Sequence, residues 1–256
     1  VKRSRFVSPG EVVSPEVYEK ALRNGLKEKF PKWEKDKKKK RNFSPSGIGF
    51  GKGKCPRYWV YMFEGGLDHE EYGDHKSMLK RLIGTSNHET LQALIEENMP
   101  DLTFEDKVIS DDPPIFGYVD IYDEENNVPV ELKNVDSIKF SKAKDSNIGE
   151  ESHVIQTLIY MWLKKSKQGV LLYVDRTTLD THAFSIIMNE HHEKWVEGLM
   201  EWMKTVYAAY ENGQLPERVF EEDSFQCKWC PIKKACWSDE RVADVKIVKV
   251  RDLGYS

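Results

Sequence analysis

Asp120, Glu131 and Lys133 lie in one short stretch, GYVDIYDEENNVPVELK (117–133), whose apolar residues otherwise suit a strand. Val119, Ile121, Val128, Val130 and Leu132 occupy strand positions, and 123–127 supply a polar turn between two arms. Positions 120 and 131 are equidistant from the middle of that turn, so a symmetric hairpin sets Asp120 opposite Glu131. Strand side chains alternate with period two, which puts Lys133 on the face of Glu131. Three ionisable groups thus meet on one side of a hairpin. Withdrawing an unpaired carboxylate from water is costly, so such groups are exposed, ion-paired or bound to a cation. The hairpin alone leaves all three open.

A second set of chemically capable residues is the cysteines. The chain has 4 of them: Cys55, then Cys227, Cys230 and Cys236 in QCKWCPIKKAC. Three thiols this dense are the mark of a loop wrapped around a metal, with distant Cys55 as the fourth ligand. Four thiolates suit a tetrahedral zinc or a 4Fe–4S cluster equally, and disulfides are the structural alternative. A metal so held would staple the N-terminal region to the C-terminus and offset the entropy of closing a long loop.

These groups need elements to position them. SPEVYEKALRNGLKEKF begins with Ser14 as an N-cap and Pro15 at the first helical position, and its periodicity predicts a helix to about Phe30. The lysine run that follows is a solvated segment or a phosphate-contacting arm. GIGFGKGK lacks the spacing of a phosphate-binding loop. Helices are predicted over 77–98, over the amphipathic 149–166, and over 189–213, the last closed by Gly213; GVLLYVD, THAFSIIM and VKIVKV are predicted strands. This order gives an α/β (α+β) fold with a mixed central sheet flanked by helices. The expected division is an N-terminal helix and basic segment over 1–50 and a main domain over 51–256.

The 256 residues, 39% hydrophobic with 7 Trp, 11 Tyr and 11 Phe, are ample for one large core. Net charge is −4, so a nucleic-acid partner would be held by a local basic patch rather than by the whole-protein field. No apolar run approaches a membrane span, and VKRSRFVSPG lacks the apolar core of a secretory signal. The expected setting is cytoplasmic, or the host cytoplasm for a viral protein.

The segments SPSGIGFGKGKCPRYWVY, GTSNHE, GYVD, VELK, QTLIY and CKWCPIKKAC follow one another in order over roughly 44–237. Together they resemble the RecB-like branch of the PD-(D/E)xK nucleases. More narrowly, they resemble its iron–sulfur subgroup, which includes CRISPR-associated Cas-four type nucleases and the AddB nuclease domain. The resemblance implies a restriction-endonuclease-like core in which His88, Asp120 and Glu131 hold Mg²⁺ or Mn²⁺, with the peptide carbonyl of Leu132 as a further ligand. It makes Lys133 a group beside the attacking water and Gln156 an orienting group near it. Tyr160, four residues on and so on the same helix face, becomes a contact near the active centre or DNA. It assigns Cys55, Cys227, Cys230 and Cys236 to a structural 4Fe–4S cluster. Arg57 would contact phosphate or form a structural ion pair; from position alone, Arg176 and Lys139 to Lys144 flank the predicted active face and would line the DNA path. The remaining histidines match no ligand spacing.

The implied activity is metal-dependent hydrolysis of DNA phosphodiesters, as an exonuclease preferring single-stranded ends, in a repair, recombination or CRISPR setting. Two other expectations stand beside it. One is a zinc-stapled nucleic-acid-binding protein without catalysis. The other is a nuclease subunit active mainly with protein partners in a recombination or spacer-acquisition complex.

Overall fold

The computed structural model describes residues 16, 17, 19–21, 23–25, 39–65 and 75–253. The predicted helix near the N-terminus is helical where described, and most of the lysine run lies outside the described residues. From residue 39 on, the first elements are short helix α1 (Pro45–Gly49), a 3₁₀ turn (Gly51–Lys54) and α2 (Pro56–Glu64). Proline stands in the first turn of both α-helices, where its missing N–H costs nothing. Then come α3 (His75–Asn98), the strands β1 (Thr103–Asp111), β2 (Pro114–Asp123) and β3 (Val128–Val135), and helices α4 (Ser137–Ser146) and α5 (Glu151–Lys164). The chain finishes with β4 (Gln168–Asp175), β5 (Thr181–Ile187), α6 (Glu190–Glu211) and the short α7 (Phe225–Lys228) and α8 (Lys233–Ser238).

The five strands form one sheet in the order β1-β2-β3-β4-β5. All neighbours are antiparallel except β3 and β4, which run parallel. A parallel pair needs a long crossover, and α4 and α5 supply it. The mixed sheet flanked by helices is the expected fold class.

Helix α5 packs on the sheet by burying Val154, Ile155, Leu158, Ile159 and Met161. Helix α6 starts at Asn189, whose side chain accepts from the His192 N–H at 2.8 Å, and ends just before Gly213, at φ +66°. It buries Trp195, Val196, Leu199, Trp202, Met203 and Val206 in the same core. Phe43 and Ile48, from the N-terminal side of position 50, are fully buried there too. No helix among the described residues is long and apolar enough to cross a membrane.

Three elements differ from expectation. VKIVKV is not a strand: Val245 makes one isolated bridge to Pro216, and a 3₁₀ turn begins at Val250. Its alternating apolar residues instead let Ile247 and Val250 plug into the core. Strand β1 and helix α4 were not anticipated. In β1 only Val108 is fully buried, so its apolar signal is weak. In α4 only Phe140 and Ala143 are buried, and its start depends on the cap formed by Asp136, which accepts from Lys139 N–H.

Candidate active site and cysteine centre

The hairpin forms as read, with β2 ending at Asp123 and β3 starting at Val128. Its pairing is short: Asp123↔Val128, Tyr122↔Pro129 and Ile121↔Val130, and then the strands part. Extending that register would match Asp120 with Glu131, so the separation begins at the carboxylates. Backbone groups freed there find side chains instead. The Asp120 carbonyl accepts from Gln92 Nε2 at 2.9 Å, and the Leu132 N–H donates to Asp120 Oδ2 at 2.8 Å. On the other flank Glu105 of β1 has φ +50° and is skipped in the β1–β2 register, between Phe104↔Ile121 and Asp106↔Val119. A non-glycine residue in that region is strained, and such strain gathers at functional sites.

Glu131 is 1% exposed. Its Oε1 accepts from Gln156 Nε2 at 2.7 Å and contacts Lys133 Nζ, while its Oε2 is buried without a hydrogen-bond partner. Gln156 also lies 3.3 Å from the Tyr160 hydroxyl. Tyr160 is buried against Val108 and Val119, behind Gln156 rather than at the surface. His88, on α3, puts Nε2 3.1 Å from Asp120 Oδ2.

The charges are strongly coupled. Burial pushes the Glu131 carboxyl up to about 8, with Lys133 pulling down and Asp120 pushing up. For Asp120, burial is outweighed by the hydrogen bond from His88 and the charge of Lys133, so its carboxyl is held below the usual range. The hydrogen bond to Asp120 raises His88, against its partial burial.

His88, Glu105 and Asp120 each offer a ligand atom within 4.8 Å of the others, so this group could bind a metal. Glu131 is not part of that trio but stands close enough to Asp120 for that carboxylate to push its own carboxyl up. An orphaned buried carboxylate oxygen beside two carboxylates and an imidazole is a donor set suited to a divalent cation. Glu105 and Gln92 escaped the sequence reading. Gln92 is four residues after His88 and shares its helix face, a spacing that was visible. Glu105 could be placed only by recognising β1.

Cys55, at the start of α2, and Cys227, Cys230 and Cys236, from the α7–α8 segment, line one small cavity with Tyr58 and Ile232. None is in a disulfide. Burial, reinforced by the other cysteines, pushes Cys55 up to about 12 and Cys230 up to about 11. Backbone N–H groups of Tyr58 and Ile232, and Arg57 and Arg218 near Cys236, act in the opposite sense and favour thiolates. Among the described residues, no three cysteine sulfurs lie within 4.8 Å of one another.

Arg57 does not reach the surface, and among the described residues it pairs with no carboxylate. It is 2% exposed and donates to the Pro216 carbonyl and the Tyr61 hydroxyl, each at 3.1 Å. Arg176 lies 3.5 Å from Asp136, and Lys139 lies 3.0 Å from Glu150. His153 is a packing residue, its Nδ1 2.6 Å from the Tyr173 hydroxyl. The side chains of His69 and His75 are outside the described residues.

No protein-family model and no curated protein matches this chain. Among solved structures, a protein designated SSO0001 is similar at 17% identity and a TM-score of 0.49, covering 86% of this chain and 96% of that one. A phage-related exonuclease from Haemophilus somnus 129PT is similar at 15% identity and a TM-score of 0.39, covering 50% and 70%. An alkaline exonuclease, LHK-Exo, from Laribacter hongkongensis is similar at 11% identity and a TM-score of 0.39, covering 52% and 67%. Outlines shared at this distance say nothing of substrate, which has to be argued from side chains.

Proposed function

We propose that this protein is a divalent-metal-dependent DNA nuclease of the restriction-endonuclease-like kind, an exonuclease acting on single-stranded ends, with a structural 4Fe–4S cluster. The observation that carries the reading is Glu131: a carboxylate withdrawn from water, with one oxygen partnerless, among Asp120, His88, Lys133 and Gln156. A carboxylate so deeply buried needs compensation beyond the single lysine beside it, and a bound cation supplies it.

His88, Asp120, Glu131 and the Leu132 carbonyl would hold Mg²⁺ or Mn²⁺, with Glu105 within reach of the same ion. Such an ion polarises a phosphate and acidifies a water molecule at neutral pH. The protein's own groups do the rest. Gln156 fixes the Glu131 carboxylate through its 2.7 Å bond, and Tyr160 backs Gln156. Lys133, whose side chain is 23% exposed against 1% for Glu131, would supply positive charge where negative charge accumulates on the phosphate. His88 keeps Asp120 ionised, and the Leu132 N–H fixes its orientation.

For the cysteines, the spread of the sulfurs favours a polynuclear cluster over zinc. Four thiolates about 2.3 Å from one zinc ion stand under ~4 Å apart, whereas a cubane spreads its thiolates over four irons. The cluster would tie α2 to the α7–α8 segment and take no part in bond cleavage.

The test is anaerobic purification, a visible spectrum, and digestion of end-labelled single-stranded DNA with Mn²⁺, Mg²⁺ or chelator. A brown protein whose metal-dependent cleavage is lost in Glu131→Gln and Lys133→Ala is expected. A colourless protein that binds DNA without cutting it would overturn both halves of the reading.

A further inference from the structure

Among the described residues four aromatic side chains stand well exposed: Phe50, Tyr118, Phe225 and Trp229. Three of them, Phe50, Phe225 and Trp229, at 64%, 70% and 63%, line one open groove of about 470 Å³ with Gly51, Lys52 and Gln226. Exposed aromatic surface on this scale is costly in water, and most of the other aromatics are in the core.

We propose that this groove binds unpaired nucleobases of a single-stranded nucleic acid, which stack on Phe50, Phe225 and Trp229; the proposal deepens the nuclease reading and rests on it for its choice of strand. Two observations select this occupant. Among the described residues Lys52 and no carboxylate lines the groove, and Lys228 is exposed on α7, with Glu221, Glu222 and Asp223 exposed on the segment that precedes that helix. A cation in the groove wall suits a phosphate backbone, and π faces beside a cation are the recurrent means of holding single strands without regard to sequence. The second observation is continuity with the candidate active site. Phe50 follows α1 directly, and at α1's first residue Pro45 flanks Gly117 together with the Tyr160 hydroxyl. At its last residue Gly49 lies against the Ser152 backbone, and Lys54 is 2.6 Å from Glu151. Glu151 and Gln156 are five residues apart on α5, about 7.5 Å of helix rise. One short helix therefore connects residues packed behind the candidate active site to the aromatic groove.

Stacking recognises bases, whereas lysines recognise backbone, and this separates the proposal from general electrostatic attraction. The Glu131→Gln protein keeps bound strands intact and serves as the parent. Its affinity for oligo(dT), and for a strand of equal length built of abasic deoxyribose phosphates, is measured with Phe225→Ala, Trp229→Ala, Phe50→Ala and Trp229→Phe added singly. Each alanine is expected to weaken oligo(dT) about 5- to 150-fold. Abasic-strand binding stays unchanged, and Trp229→Phe retains most of the affinity. Ile109→Ala, exposed on β1, serves as the remote control.

Oligo(dT) binding equal to the parent's in all three alanine variants would overturn the proposal, and is the result expected of a groove that docks a protein instead. Equal losses for both strands would overturn it too. Phe50 comes from a different segment from Phe225 and Trp229, so its variant carries the test if either of those substitutions disturbs the neighbouring cysteines. A wild type that cuts single strands while the alanine variants bind normally removes this inference alone. A wild type that binds through the aromatics yet cuts nothing removes the nuclease reading alone.

Discussion

Helix α5 and the α7–α8 segment both carry residues that chemistry would need, yet they are held in opposite ways. Helix α5 buries eight of its fourteen residues, Gln156 and Tyr160 among them. Each large apolar side chain so buried contributes about 1.5–3 kcal/mol. Helices α7 and α8 bury no residue at all. The first region is placed by packing, and its polar groups are oriented because the surrounding core is already rigid. The second has too little apolar surface to fix itself. Its position depends on Ile232, on the cysteines and on polar ties such as Arg218 to the Cys236 carbonyl at 2.7 Å. A centre that brings its own binding energy belongs in the second kind of setting, and a catalytic carboxylate in the first.

The largest expected effect tests the packed region. Glu131→Gln keeps the volume and the Gln156 contact, and cleavage of single-stranded DNA should fall by about 10³-fold or more, the scale of losing a key charge-organising group. The thermal midpoint in chelator should stay level or rise, because burial already disfavours the ionised carboxyl. Calorimetry beside the cleavage assay shows whether activity and stability part in this way. A large fall in midpoint would mean that Glu131 is a structural residue.

Next comes the cysteine segment. Cys55→Ser should lower the midpoint by about 6–12 °C, corresponding to about 3 kcal/mol or more of lost metal-linked stability. Limited proteolysis should then cut first within 220–240, leaving the sheet and α5 intact. Uniform cleavage across the chain would erase the contrast between the regions.

A smaller effect is expected from His153, packed at the start of α5. Burial, then the charges of Lys133 and Lys139, hold its imidazole down at about 3, although Glu150 stands 3.8 Å away. The unfolded chain takes up a proton near pH 6.5 that the folded protein refuses. Stability from this residue is therefore complete above 6.5 and declines as pH falls towards 3, by about 2 kcal/mol at pH 5. Urea midpoints across that range should flatten in His153→Gln. A slope unchanged by the substitution would assign it to other groups.

The smallest effect sharpens the second region again. Arg241 bonds Glu64 at the end of α2 at 2.9 and 3.1 Å and also holds Asp239 at 2.9 Å. It is partly exposed, so Arg241→Ala should cost only about 1 kcal/mol. Measured in the Cys55→Ser background, the cost should grow, since the two ties would then share one load.

Legibility in the sequence followed the physics of each element. The hairpin turn at 123–127 was readable because polar residues interrupt a period-two pattern, and so was α5, whose apolar residues repeat at helical spacing. The opposition of Asp120 and Glu131 came from the same symmetry. Strand β1 was not legible, because an edge strand with one fully buried residue writes little hydrophobic period into its sequence. Glu105 was lost with it. VKIVKV misled for the converse reason, since alternation favours a strand only where a neighbouring strand offers free backbone groups.

Residue types and local spacing thus determined the chemistry on offer: two carboxylates and a lysine on a hairpin, a glutamine and a tyrosine one helical turn apart, and four thiols. Only the tertiary structure decided which of these meet. Gln156 reaches Glu131 because α4 and α5 cross over between two parallel strands, and His88 with Gln92 reaches Asp120 because α3 packs beside β3 where the hairpin splays. Three aromatics from two distant segments share a groove because the fold brings the 3₁₀ turn after α1 against the start of α7. Such meetings depend on contacts between residues far apart in the chain, and no local period records them.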